Sequence, residues 1–288
     1  MRQKITALRH RLFFLFFVLL LSLQPASAAA RDDRLVYVMY PKPGMMRSQF
    51  QQYWKNKHAL LVQKYAVTLG ISACTQQHIL PVPFNLIMRL WRKTIEAPAG
   101  IAVWQIDADV LSASLATEAG AQAMDALIED EATFVNFSRS SIWVAREHKI
   151  VEGGPPPQEN AGLEKVVWAG HGLPQYTPEE FQYHYLNTIG PVVQEYAASI
   201  GIDNYIQAHA VDSPLNAVLR DARGTAAAFS VQAALLWDFG AVFSSGTSPE
   251  VLEGLVEIPR LESEYIDFPN SFVARAVEYI VFSEALSD

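Results

Sequence analysis

The sequence predicts an α+β protein: two ferredoxin-like βαββαβ repeats in one chain, packed on each other around a barrel-like chamber, behind an N-terminal signal peptide. Three observations predict it. Sliding the 288-residue chain against itself by 131 positions aligns 35–78 with 166–209 without a gap. Phe50 then meets Phe181, Gly70-Ile71 meets Gly201-Ile202, and Gln76 and His78 meet Gln207 and His209. The same offset lays FVNFSRS (134–140) on YIDFPNS (265–271) and Glu147 on Glu278. Between the copies lies EGGPPPQENAG (152–162), whose prolines and glycines read as an extended, exposed linker. The expected organisation is a signal peptide at 1–30, repeat 1 at 31–152, linker at 153–162 and repeat 2 at 163–288.

The first segment has three parts. MRQKITALRHR is basic and free of acids, LFFLFFVLLLSL is an apolar run of twelve, and ASAAA supplies small residues for cleavage after Ala28 or Ala30. The run is short of the roughly 20 residues a bilayer span needs. An uncleaved leader would be the protein's one link to a membrane, and the periplasm or the exterior is the expected destination. Removing the leader leaves 18 bases against 30 acids, a net charge of -12. No basic stripe remains for a nucleic-acid backbone. Cys74 is the only cysteine, which excludes an intrachain disulfide and a thiolate metal cluster.

Each repeat then reads in the same order. A strand comes first, LVYVMY (35–40) or VVWAGH (166–171). A long amphipathic helix follows. In repeat 2 it opens at Thr177-Pro-Glu-Glu, with a capping threonine and a proline in the first turn. In repeat 1 Phe50, Trp54, Leu61 and Tyr65 mark its buried face. Gly70 and Gly201 stop the two helices. The second strands are ISACTQQH and IDNYIQAH. Third strands surround Trp104 and Trp237, which face each other only after a two-residue adjustment. Second helices are expected at 112–129 and about 248–258, and fourth strands at 140–151 and 271–282. This order gives an antiparallel sheet with helices on one face. The second copy would cover the other face and enclose the chamber. The assembly expected is a monomer holding this internal pseudo-dimer, or a homodimer.

Strand alternation puts Ser72, Cys74, Gln76 and His78 on one side of the second strand, with Asp203, Tyr205, Gln207 and His209 equivalent. This is the more polar side, so it is expected to line the chamber, with His78 and His209 as a pseudo-symmetric pair. His58 lies one turn after Trp54, and Ile189 replaces it in repeat 2. That asymmetry points to a working site in repeat 1, with His58 and His78 as candidate acid/base groups near neutral pH. Tyr53, Trp54, Gln76, Trp104, Arg139 and His209 are the candidate ligand-binding residues. Trp54, Trp104 and Trp143 read as an aromatic wall or as core. Arg139, Arg146 and His148 would hold an acidic substrate or pair with Glu131 and Glu147. No phosphate loop, dinucleotide fingerprint or HExxH motif occurs, and a metal site is not expected.

Phe50-x-x-Tyr-Trp-x-x-x-His58, the strand ending Gln76-x-His78, and DEATFVNFSRSSIWVAREH (130–148) resemble the EthD domain of the dimeric α+β barrel superfamily. The family's His-x-Pro is divided here: repeat 1 has His58 with Leu60, and repeat 2 has Ile189 with Pro191. The resemblance implies an intrachain α+β barrel that binds a small aromatic or polyketide-like molecule. It also implies cofactor-free dehydration or oxidation through histidine, making the protein an oxidoreductase-like or dehydratase-like enzyme. Two alternatives accompany it: a non-catalytic carrier, and a haem protein with a chamber histidine as axial ligand.

Overall fold

A computed structural model describes residues 33–154, 163–238, 240 and 248–283. The expected signal peptide and most of the linker lie outside them. Repeat 1 runs β1 (Asp33–Met39), α1 (Arg47–Tyr53), α2 (Ala59–Leu69), β2 (Ile71–Ile79), α3 (Pro83–Arg92), β3 (Gly100–Ile106), α4 (Ala108–Leu115), α5 (Glu118–Phe134) and β4 (Ser141–Val151). Repeat 2 runs β5 (Leu163–Gly172), α6 (Pro178–His184), α7 (Gly190–Tyr196), β6 (Ile202–Ala210), α8 (Pro214–Arg223), β7 (Val231–Trp237), α9 (Pro249–Tyr265) and β8 (Ile266–Ser283).

The strands form two antiparallel sheets, β4-β1-β3-β2 and β8-β5-β7-β6. The sequence reading stacks these sheets face to face. The structure instead joins them edge to edge: β2 pairs with β8 and β4 with β6, closing an eight-stranded barrel. Closure satisfies the backbone groups of four strands that would otherwise be open edges. Leu35 pairs with Trp104, and Val166 with Leu235. The offset of 131 therefore runs unbroken through the third strands. Trp104 corresponds to Leu235 and Trp237 to Ile106, and no adjustment is needed.

Alternation divides the strand residues between two environments. Val36, Val38, Ile79, Ile101, Trp143, Val167 and Phe272 pack inside the barrel, and beside them a polar cavity of about 210 Å³ remains among Arg34, Gln77, Glu147, Lys165 and Glu278. Leu35, Tyr37, Cys74, Trp104 and Ile142 pack outward under the helices of repeat 1, and Trp168, Tyr205 and Val231 do so in repeat 2.

The expected long first helix is broken in both repeats by a π-helical turn, Trp54–His58 and Tyr185–Ile189. Such turns widen the helix by one residue and free part of its backbone for other partners. Gln76 and Gln207 use that freedom. Gln76 Nε2 donates to the Trp54 carbonyl at 3.3 Å, and Gln207 Nε2 to the Tyr185 carbonyl at 3.2 Å.

Helices α3 and α8 were not foreseen from the sequence. Both open on proline in the first turn, which pre-sets φ where no helical N–H partner is lost. Asn85 ties α3 to the Leu80 carbonyl and the Arg275 N–H, each at 2.7 Å. Asn216 ties α8 to the Val211 carbonyl and the Val144 N–H, also at 2.7 Å. Because Arg275 is on β8 and Val144 on β4, each helix is pinned to the other repeat. Leu215 and Leu219 of α8 belong to the core of repeat 1, while Phe84 and Met88 of α3 border repeat 2.

Candidate functional site

The outward side of β2 and β6 places the polar strand residues against helices, not in the barrel. This corrects the expected chamber lining. His78 stacks on Trp54 with ring centroids 4.7 Å apart, and its Nε2 lies 2.9 Å from Gln76 Oε1. His209 Nε2 lies 2.8 Å from Gln207 Oε1. A carboxamide oxygen only accepts, so Nε2 carries the hydrogen in both rings. Burial, and secondarily the Lys55 ammonium, lowers His78 to about 4. Burial, then His148, lowers His209 to about 3. Both are neutral, buried rings that orient the glutamine clamping the π turn. That explains their presence in both copies.

His58 is different. Its Nδ1 lies 2.7 Å from Asp130 Oδ2, and Tyr53 Oη donates to Asp130 Oδ1 at 2.6 Å. The π turn supplies His58 and α5 supplies Asp130. A carboxylate at Nδ1 fixes the imidazole tautomer and leaves Nε2 as the group that could take a proton. The His58 hydrogen bond, ahead of that from Tyr53, holds the Asp130 carboxyl below its ordinary value. In repeat 2 the corresponding residues are His184, Ile189 and Leu261, so the trio exists once. The structure thus joins Tyr53 to His58 through Asp130, and joins Trp54 to Gln76 and His78 in a second cluster. Asp130 was not foreseen, because a carboxylate on a helical surface carries no sequence signal of its partner.

The remaining candidates are apart from these clusters. Trp104 is buried in the core of repeat 1, and Trp143 lies inside the barrel. Arg139 sits over the Tyr40 ring and pairs with Glu96 at 3.4 Å, not with Glu131. Arg146 pairs with Asp33 at 3.5 Å, and Glu147 is taken by Arg34 at 2.8 Å.

The apolar cavity is in repeat 2. It has a volume of about 210 Å³ and lies between the outer face of the sheet, α7, α9 and the exchanged helix α3. Trp168, Tyr185, Tyr205 and Leu235 form its wall, with Phe84, Met88 and Trp91 on the α3 side. Repeat 1 has the same space filled. Trp104 stands where repeat 2 has Leu235, Leu127 and Ile128 where it has Ile258 and Pro259, and all three pack in or against the repeat 1 core. Leu235 in place of Trp104 is the largest loss of volume on this wall, while Tyr205 in place of Cys74 and Trp237 in place of Ile106 add volume elsewhere on it. Exposed Trp91 and Leu255 belong to both the cavity wall and the surface, so they mark its mouth.

One ion pair borders the cavity. Arg92 of α3 reaches Glu262 of α9 at 2.6 Å, with its guanidinium over the Trp91 and Phe268 rings. Burial raises the Glu262 carboxyl above its ordinary value, against the lowering by Arg92. The equivalent pair in repeat 1 is Arg223 with Glu131, at 2.7 and 3.0 Å. Both pairs obey the offset of 131, so the repeat itself carries their signal in the sequence.

Residues 42–138 match the EthD domain. No curated protein matches the chain. Among solved structures, an anthrone oxidase-like protein is 10% identical, covering 89% of this chain and 96% of its own, with a TM-score of 0.50. A candidate monooxygenase from Fusobacterium nucleatum is 10% identical over 88% of this chain and 94% of its own, at a TM-score of 0.46. A heme-binding protein from Thermus thermophilus is 9% identical over 85% and 91%, at 0.40. The likeness to the first is one of fold alone, a closed α+β barrel.

Proposed function

We propose that this protein is exported, to the periplasm or beyond, and carries a small ring-containing molecule in the cavity of repeat 2. One observation carries the reading. The open apolar cavity lies in the repeat that lacks the His58–Asp130–Tyr53 trio, so apolar ligand space and acid/base chemistry are in different halves; the second cavity, of about 210 Å³ inside the barrel, is lined by the charged side chains of Arg34, Glu147, Lys165 and Glu278 and suits a ring less well. Cavities of roughly 150 Å³ lined by apolar side chains accept benzene. At about 210 Å³ this one suits one ring or two fused rings. Export is supported by the three-part leader, the acidic mature chain and the lone cysteine.

The test restores the repeat 1 residue. Leu235→Trp should fill the cavity, abolish binding of naphthalene measured by calorimetry, and leave the thermal midpoint unchanged or raised. Naphthalene binding that survives in a folded Leu235→Trp variant would remove the cavity from consideration.

The short His58–Asp130 contact supports a second reading, proton transfer in a cofactor-free dehydration or oxidation at the edge of repeat 1. Turnover of a ring substrate that His58→Gln abolishes would favour it over the carrier. Haem fits less well. Among the described residues the cavity wall has no histidine, and His78 and His209 are engaged with Gln76 and Gln207.

A further inference from the structure

The two exchanged ion pairs are related by the repeat, yet they are closed to different degrees. In repeat 1 Glu131 receives Arg223 Nε at 2.7 Å, Arg223 Nη2 at 3.0 Å and Tyr37 Oη at 3.3 Å. In repeat 2, among the described residues, Glu262 receives only Arg92 Nη2, through Oε2 at 2.6 Å. The residue equivalent to Tyr37 is Trp168, which has no hydroxyl to offer. Among the described residues Arg92 Nε and Trp168 Nε1 are both buried without a hydrogen-bond partner; the repeat 1 pair leaves Arg223 Nη1 so as well, but in a packed core and not at a cavity. Both belong to side chains of the cavity wall. Buried donors without partners are rare in folded proteins, and each costs desolvation energy until an acceptor arrives. Glu262, which Arg92 reaches only through Oε2, lines the same cavity and adds an acceptor to it.

We infer that the cavity selects a neutral one- or two-ring phenol or ketone, its oxygen accepting from Arg92 Nε and Trp168 Nε1. A phenol can also donate its hydrogen to Glu262. A carboxylate ligand is disfavoured, because Glu262 already balances Arg92 and would repel a second anion. A plain hydrocarbon fills the space and leaves both donors unpaired. This inference rests on the carrier reading, and the probes separate the two.

The experiment compares 2-naphthol, naphthalene and 2-naphthoate by calorimetry with the full protein. The expected order is naphthol tightest, naphthalene weaker by about tenfold, and naphthoate weakest. Trp168→Phe removes the indole donor together with part of the cavity wall, so naphthalene reports the packing change and the preference for naphthol over naphthalene should fall about tenfold. Arg92→Lys keeps the charge facing Glu262 and removes Nε, and should act likewise. If naphthol and naphthalene bind equally and Trp168→Phe leaves that ratio unchanged, the polar selection is wrong and the cavity stands. If naphthoate binds tightest, the site is an anion site. If none binds to a folded protein, both the selection and the carrier reading fall.

Discussion

Replacing Arg223 by methionine tests how the barrel is held shut between repeats. Arg223 and Glu131 have side chains 0% exposed, and Glu131 takes three donors. Arg223→Met leaves a carboxylate in the core with only Tyr37 beside it. Breaking one side of a fully buried pair costs about 3–5 kcal/mol. The twin, Arg92→Met, is milder. Its side chains are 12% and 23% exposed, so water reaching the cavity can solvate Glu262. Its loss should cost about 1–2 kcal/mol. Urea unfolding, followed by tryptophan fluorescence and by circular dichroism, reads both. A single transition is expected, since the repeats share one closed sheet. Combining Arg223→Met with Glu131→Leu should recover most of the loss, because no charge is then stranded. Equal destabilisation by the two arginine variants would refute the reasoning, and so would a double variant no better than Arg223→Met alone.

Acid should destabilise the protein through its paired histidines. His78 is lowered to about 4 and His209 to about 3, so the unfolded chain binds their protons first as pH falls. Their stabilisation is complete above about pH 6.5 and is lost as pH falls toward those values, by about 3 kcal/mol for His78 and about 5 kcal/mol for His209. His78→Asn should flatten the urea stability slope by about one proton between pH 6 and 4. Asp130→Asn should leave the fold intact but lower the share of His58 protonated at Nδ1, read from imidazole nitrogen shifts. An unchanged tautomer would mean that Asp130 does not orient the ring. Gly100→Ala would place a methyl 2.4 Å from the Trp54 ring and 3.0 Å from the Gln77 carbonyl. It should cost about 1–3 kcal/mol in thermal or urea unfolding, and a neutral result would contradict the close packing of β3 under the π turn.

The duplication, the antiparallel α+β order and most strand positions were legible in the sequence because each is local. Alternation, helix stops at Gly70 and Gly201, and a fixed offset need no knowledge of what lies across the molecule. The same reasoning could tell that Gln76 and His78 share a side, but not which side. Both sides of that strand carry polar residues, and a clamp on a helix looks like a lined chamber. Helices α3 and α8 were invisible as pieces of a core because α8 buries Leu215 and Leu219 in repeat 1, and α3, with no fully buried residue, lays Phe84 and Met88 along the cavity of repeat 2. Asp130 and Glu262 are ordinary helical acids until folding brings His58 and Arg92 to them.

By itself, then, the sequence determined two equivalent α+β units and the residues they share. Tertiary structure decided that the sheets close edge to edge, that the repeated histidines serve the fold, and that the apolar cavity belongs to repeat 2 while a polar one lies inside the barrel. The physical reason is that a cavity is a difference in packed volume among distant side chains. Leu235 in place of Trp104 becomes an opening only once Trp168, Tyr205 and the exchanged helix α3 surround it.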